Sequence, residues 1–173
     1  TELSLRDSLT GLYNRRGFMT LGKQLLDSSL RKQPEIGLLY VDLDYLKLIN
    51  DKLGHPEGDR ALMITANVLK SCFRDSDIIA RLGGDEFVVL FLDTPGLTVE
   101  SIRARVDRRL EKTFETKPIP FTLSLSLGYY STVLCYQTQI GMLLSNADSL
   151  MYKDKDERRK TISGDDIVSR KDQ

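Results

Sequence analysis

Apolar and polar positions alternate along this chain with two periods, and the switches between them mark out its elements. Ile36 to Val41 is a short, continuously apolar run, read as a buried strand that stops at Asp42-Leu43-Asp44. Two further β-type runs, Ile78-Ile79-Ala80-Arg81-Leu82 and Val88-Val89-Leu90-Phe91-Leu92, flank Gly83-Gly84-Asp85-Glu86-Phe87. Two such runs joined by a glycine pair predict a hairpin, with two adjacent carboxylates at its tip. Behind Pro118 and Pro120, Phe121 to Tyr130 alternates Leu123, Leu125 and Leu127 with Ser124 and Ser126, which predicts another strand.

The helical period fills the gaps. Asp7 to Arg16 reads as a turn feeding a helix with Leu21 and Leu25 on one face, and Pro34 ends that connection. Asp44 is expected to cap a helix from Tyr45 to Leu53, which Gly54 closes. A helix from about Asp59 to Arg74 aligns Leu62, Ala66, Leu69 and Phe73, and Thr98 to Phe114 repeats the period through Ile102, Val106 and Leu110. Ile140, Leu143, Leu144, Ala147, Leu150 and Met151 mark the last helix. The polar tail, 161–173, reads as a short edge strand followed by disorder, outside a domain over 1–160. The order helix, β, α, α, hairpin, α, β, α predicts an α/β (α+β) fold with a mostly antiparallel central sheet flanked by helices.

At 173 residues the chain suits one domain with a real core. Lys plus Arg equals Asp plus Glu at 25 each, so the balance carries no electrostatic footprint for duplex nucleic acid. Sign varies locally: acids gather between Asp42 and Asp59, bases between Lys153 and Lys160. Cys72 and Cys135 form neither a disulfide framework nor a CxxC pair, which fits a reducing cytosol. No stretch has the length to span a bilayer, no signal-peptide pattern opens the chain, and Thr1 suggests a piece of something larger.

Acids recur at predicted strand ends. An Asp after a strand is ordinarily a turn or cap residue, and so is one at a hairpin. If the first strand pairs with the hairpin, however, Asp42 and Asp85 come within a few ångströms of each other. Two carboxylates ~4 Å apart repel by roughly 4 kcal/mol at an effective dielectric near 20. A shared proton or a divalent cation must offset that, and oxygen-only ligands favour Mg²⁺ or Mn²⁺.

From about Asp7 to Arg159 the chain resembles the GGDEF family, the diguanylate cyclases that make cyclic di-GMP from GTP. The resemblance rests on Leu9-Thr10-Gly11-Leu12 with Asn14-Arg15-Arg16, Asp42-Leu43-Asp44 with Lys47, Ile49-Asn50-Asp51, and Gly54-His55. It continues through Gly58-Asp59, Arg81 with the pentapeptide Gly83 to Phe87, Ser126-Leu127-Gly128 and Ala147-Asp148. It implies a fold like that of nucleotidyl cyclases and polymerase palms. It further implies Asp42, Asp85 and the Leu43 backbone carbonyl as metal ligands. Asp85 would help deprotonate the ribose 3′-hydroxyl, with Lys47 at the triphosphate and Glu86 in support. Asn50 and Asp59 resemble the pair that reads guanine, and His55 falls at a substrate-associated position. Lys155 and Arg159 match the cations that hold phosphates. Around them the family's Ala-Lys, two residues, Gly-Arg-Asn becomes Asp154-Lys155-Asp156-Glu157-Arg158-Arg159-Lys160.

Arg74-Asp75-Ser76-Asp77 is an RxxD motif, expected about once by chance in such a chain, but five residues separate it from Gly83 as in the family's product-inhibition site. Arginine forks suit guanine and phosphate, so Arg74 and Asp77, with Arg105 from a partner domain, are expected to bind cyclic di-GMP as a feedback inhibitor. Because the product is a symmetric ring of two, the resemblance implies a homodimer with facing half-sites. It also implies an N-terminal sensory or regulatory domain, and a cytoplasmic location that a membrane anchor elsewhere in the protein would not alter. Two rival readings remain: a module that binds GTP or cyclic di-GMP without turnover, and a dimerising scaffold that binds neither.

Overall fold

The computed structural model describes residues 4–92 and 95–168. Along the chain run α1 (Arg15–Ser29), a 3₁₀ turn (Leu30–Lys32), β1 (Glu35–Leu43), α2 (Leu46–Leu53) and α3 (His55–Cys72). Then come β2 (Ile78–Gly83), β3 (Glu86–Leu92), α4 (Val99–Thr116), β4 (Leu125–Val133), α5 (Ile140–Thr161) and α6 (Gly164–Val168). The four strands form one antiparallel sheet in the order β2-β3-β1-β4. β1 is therefore interior, which explains its nearly unbroken apolar run: both of its faces are covered.

Side-chain alternation divides the core in two. Ile36, Leu38 and Tyr40 of β1 face α1 and α5, packing with Phe18, Leu26, Leu143, Ala147 and Met151. Leu39, Val41 and Leu43 face the opposite layer, against Ile49, Leu62, Ala66, Leu69, Ile102 and Val106. Burying each such Leu, Ile or Phe stabilises the fold by ~1.5–3 kcal/mol. Asp42 shares its parity with Tyr40, so the strand delivers that carboxylate to the α5 side. Among the described residues no helix is long and apolar enough to cross a membrane.

Four expectations need correction. β4 begins at Leu125 because β1 ends opposite it at Leu43; of the residues before it, Ser124 still meets the chain just past β1, accepting from the Asp44 N–H at 2.8 Å, while the Thr122 N–H turns away to the Ile167 carbonyl at 2.8 Å. α3 starts four residues early, since Pro56 is tolerated in a first helical turn. Asp44 does not cap α2: the cap position is Tyr45, in the left-handed region at φ 62°. α5 itself runs as far as the basic stretch expected at its end, ten residues past its last buried apolar residue, Met151. Finally, 164–168 forms a short helix and not an edge strand, with Ile167 buried in the α2–α3–α4 core; residues 169–173 of the expected tail lie outside the described residues.

Candidate active site

The exit of β1 and the β2–β3 turn build one acidic corner. In register, Asp42 pairs with Glu86, and the Leu43 N–H donates to the Asp85 carbonyl at 2.9 Å. The turn itself needs glycine: Gly84 adopts φ 48° and Gly83 φ 152°, and nothing lies within 4 Å of where a side chain would project. Asp42 is only 5% exposed. Its Oδ2 accepts from Lys155 Nζ at 2.5 Å, while Oδ1 is buried without a hydrogen-bond partner.

Burial, and after it the facing Asp85 carboxylate, push the Asp42 carboxyl up to about 7 against the opposing pull of Lys155. Burial also works against the Lys155 charge, but Asp42, then Asp44 and Asp85, outweigh it and raise that ammonium. A buried carboxylate oxygen with no donor, facing a second carboxylate, is an arrangement that a hard divalent cation fits. Among the described residues no three His, Cys, Asp or Glu side chains converge as a ready-made metal cage.

The other predicted residues surround this corner unequally. Lys47 is exposed in the first turn of α2, and Arg159 is exposed on α5. Asn50 is half-buried on α2, with its amide lying directly over the Cα of Gly58 on α3; any side chain there would collide with it. Asp59 follows Gly58 on α3 and is exposed, one helical turn after the exposed His55. Glu86 faces Tyr40, whose buried phenol is pushed well above its ordinary range by burial and then by the Glu86 charge.

Arg74 and Asp77 form a closed turn: the Arg74 N–H donates to Asp77 Oδ2 at 2.8 Å and the Asp77 N–H to the Arg74 carbonyl at 3.0 Å. Burial raises the Asp77 carboxyl despite these contacts. Both residues line a cavity of about 320 Å³ with Phe73, Phe91 and Arg105. This chain's own Arg105 also lines the cavity, donating to the Cys72 carbonyl at 2.9 Å.

Sequence reasoning missed a polar lattice beside the corner. Asp44 is buried and accepts from the Ser124 and Ser126 hydroxyls at 2.9 and 2.8 Å, with Arg158 Nε 3.8 Å away. The signal was the alternation in β4's approach: serines at 124 and 126 had to point opposite the leucines.

The profile for "Diguanylate cyclase, GGDEF domain" matches residues 4–161. The "Probable diguanylate cyclase DgcC" of Escherichia coli K12 is 34% identical over 153 residues, covering 88% of this chain and 41% of that protein. The chain thus spans about two-fifths of that curated relative. The isolated GGDEF domain of TpbB (YfiN) from Pseudomonas aeruginosa superposes with a TM-score of 0.72 at 31% identity, covering 88% of this chain and 89% of that one. A microbial GGDEF domain solved with bis-(3,5)-cyclic di-GMP gives 0.69 at 28% identity, covering 90% and 95%. Fold, corner and matches agree: this chain belongs to the GGDEF domain family of diguanylate cyclases.

Proposed function

We propose that this domain is a diguanylate cyclase, joining two GTP into cyclic di-GMP with release of two pyrophosphates. In each half-reaction a ribose 3′-oxygen loses its proton and attacks the α-phosphorus of the other GTP; the bond to the β-phosphate oxygen breaks and pyrophosphate leaves. The observation that carries this reading is the buried, donor-free Oδ1 of Asp42 opposite Asp85, in a chain that matches the family over 4–161.

Asp42, Asp85 and the Leu43 carbonyl would hold Mg²⁺ or Mn²⁺. When bound, the cation supplies charge stabilisation at the phosphates and a lower pKa for the 3′-hydroxyl. Asp85 assists removal of that proton, and Glu86 supports the turn's negative field. Lys155, already at the corner, Lys47 and Arg159 bind the triphosphate oxygens. Asn50 and Asp59 read guanine, one donating and accepting and the other only accepting, so that adenine would cover these groups and leave them unpaired; His55 borders that subsite. One domain offers one set of these groups and the product needs two, so catalysis requires an antiparallel homodimer. Positioning and electrostatics then supply most of the acceleration. Product binding in the Arg74–Asp77–Arg105 cavity would inhibit by feedback, and a regulatory domain outside 4–161 would set the dimer. The reaction belongs in the cytoplasm, where GTP is available.

A specific observation favours one alternative. Asp154, Arg158 and Lys160 depart from the family pattern, and Lys155 already contacts Asp42, as would suit a module that binds GTP or cyclic di-GMP without turnover. Incubation of the dimeric protein with GTP and Mg²⁺, followed by chromatography, separates the two. Cyclic di-GMP with pyrophosphate supports the cyclase. Bound but unconverted GTP supports the module.

A further inference from the structure

The apolar stripe of α5 ends at Met151, yet the helix runs on to Thr161 and carries Lys155 in that second half. Between Met151 and Ile162, the core-packed residue that follows the helix, hydrophobic packing therefore does not hold the stretch that reaches the acidic corner. Two polar residues there have specific partners instead. Asp154 Oδ2 accepts from Arg103 Nη2 of α4 at 2.6 Å and from the Leu127 N–H of β4 at 2.8 Å, while Arg103 Nη1 donates to the Leu125 carbonyl at 3.2 Å. One turn on, Arg158 donates through Nε and Nη2 to Ser124 Oγ at 3.2 and 3.1 Å. Ser124 in turn donates to the buried Asp44, whose own N–H donates to the Ser124 carbonyl at 2.8 Å.

Asp154 and Arg158 are the positions at which this chain replaces the Ala and Gly of the family pattern, and neither of those residues could make such bonds. We propose that Asp154 and Arg158 are positioning residues, which fix the polar half of α5 to β4 and α4 and so hold Lys155 in register opposite Asp42. Lys155 follows Asp154 by one residue and precedes Arg158 by three, so both anchors lie within one turn of it. A lysine on a flexible four-carbon stem acts as a point charge; its placement depends on the backbone that carries it. Arg158 is committed to Ser124 and Asp44 and acts through Lys155. The functional consequence rests on the cyclase reading; the placement of Lys155 does not.

A double-mutant cycle tests this, read as calorimetric affinity for a non-hydrolysable GTP analogue with Mg²⁺ and as kcat/KM for GTP, with thermal melts confirming folding. Arg158→Ala is expected to weaken analogue binding roughly ten- to a hundredfold when Lys155 is present. In a Lys155→Ala background it is expected to change binding less than about twofold, because the effect travels through Lys155. Equal losses in both backgrounds would overturn the proposal, as would wild-type affinity in Arg158→Ala. If Arg158→Ala does not melt cooperatively, Arg103→Ala, which frees Asp154 from α4, runs the same cycle with the same expected and contrary outcomes. A wild-type protein that binds the analogue but makes no cyclic di-GMP would sink the cyclase reading while leaving the affinity cycle decisive.

Discussion

The Arg81 guanidinium closes the Gly84 turn from beneath, donating to the Gly84 carbonyl through Nε at 3.0 Å and Nη2 at 2.8 Å. Its third nitrogen, Nη1, donates to both oxygens of Asp7 at 3.2 and 3.3 Å. Asp7 also accepts from the Thr10 N–H and hydroxyl, so one arginine joins the turn before α1 to the hairpin tip that carries Asp85. Arg81→Ala should cost about 2 kcal/mol in urea denaturation, the scale of hydrogen bonds to a charged group. Faster amide exchange at Asp85 and Glu86 should accompany it; unchanged exchange would mean that the tip holds itself.

The same contact sets a pH dependence. Burial opposes ionisation of Asp7, but Thr10 and Arg81 together hold its carboxyl below the ordinary 3.8. A depressed folded-state value contributes stability above 3.8 and loses it as pH falls through the folded value. The stability gap between wild type and Asp7→Asn should therefore be full at pH 6 and shrink in acid below about pH 4, as followed by denaturant melts.

Asp42 should behave in the opposite sense. Burial and Asp85 raise it to about 7 from 3.8, so the folded domain prefers it protonated, and the stability tied to that proton is lost as pH rises through 7. Metal-free Asp42→Asn should gain on wild type between pH 5 and pH 8 in thermal melts. Mn²⁺ should stabilise wild type and not the variant. Its affinity for wild type should fall about tenfold per pH unit below 7, because binding must displace a proton.

Much of this architecture was legible in local pattern. β1, the hairpin and the stripes of α3 and α4 follow from alternation and helical spacing, and the carboxylates at Asp42 and Asp85 stand where those strands end. What local pattern missed depends on partners far away in sequence. Asp44 read as a cap because capping is a short-range inference, while its actual partners, Ser124 and Ser126, lie 80 and 82 residues on. The second half of α5 showed no apolar period because ion pairs, the Leu127 N–H and the Ser124 hydroxyl hold it. α6 has five residues and one buried side chain, too little to outweigh a polar tail.

That one side chain matters. Ile167 is 1% exposed in the larger core, and the adjoining segment is tied down by the Tyr45 hydroxyl, which donates to the Ile162 carbonyl at 2.7 Å. Ile167→Ala should destabilise by about 2–4 kcal/mol in chemical denaturation, and a loss below 0.5 kcal/mol would show the segment to be an appendage.

Gly58 is a test of specificity. A methyl group there displaces the Asn50 amide, a movable side-chain end, so Gly58→Ala should fold normally yet lose roughly tenfold or more in GTP affinity, with little change for ATP. Calorimetry with both nucleotides checks this; an equal loss for both would remove Asn50 from guanine reading.

If Asp42 and Asp85 form the working half-site of a cyclase, Asp85 is indispensable to turnover. The test is the rate of cyclic di-GMP formation from GTP and Mg²⁺ by the wild-type protein and by Asp85→Ala, each at a concentration where light scattering finds a dimer, followed by ³¹P NMR so that pyrophosphate is counted alongside. Two pyrophosphates per cyclic di-GMP are expected from wild type, and no detectable product from a folded Asp85→Ala protein. Wild-type rates in that variant would contradict it.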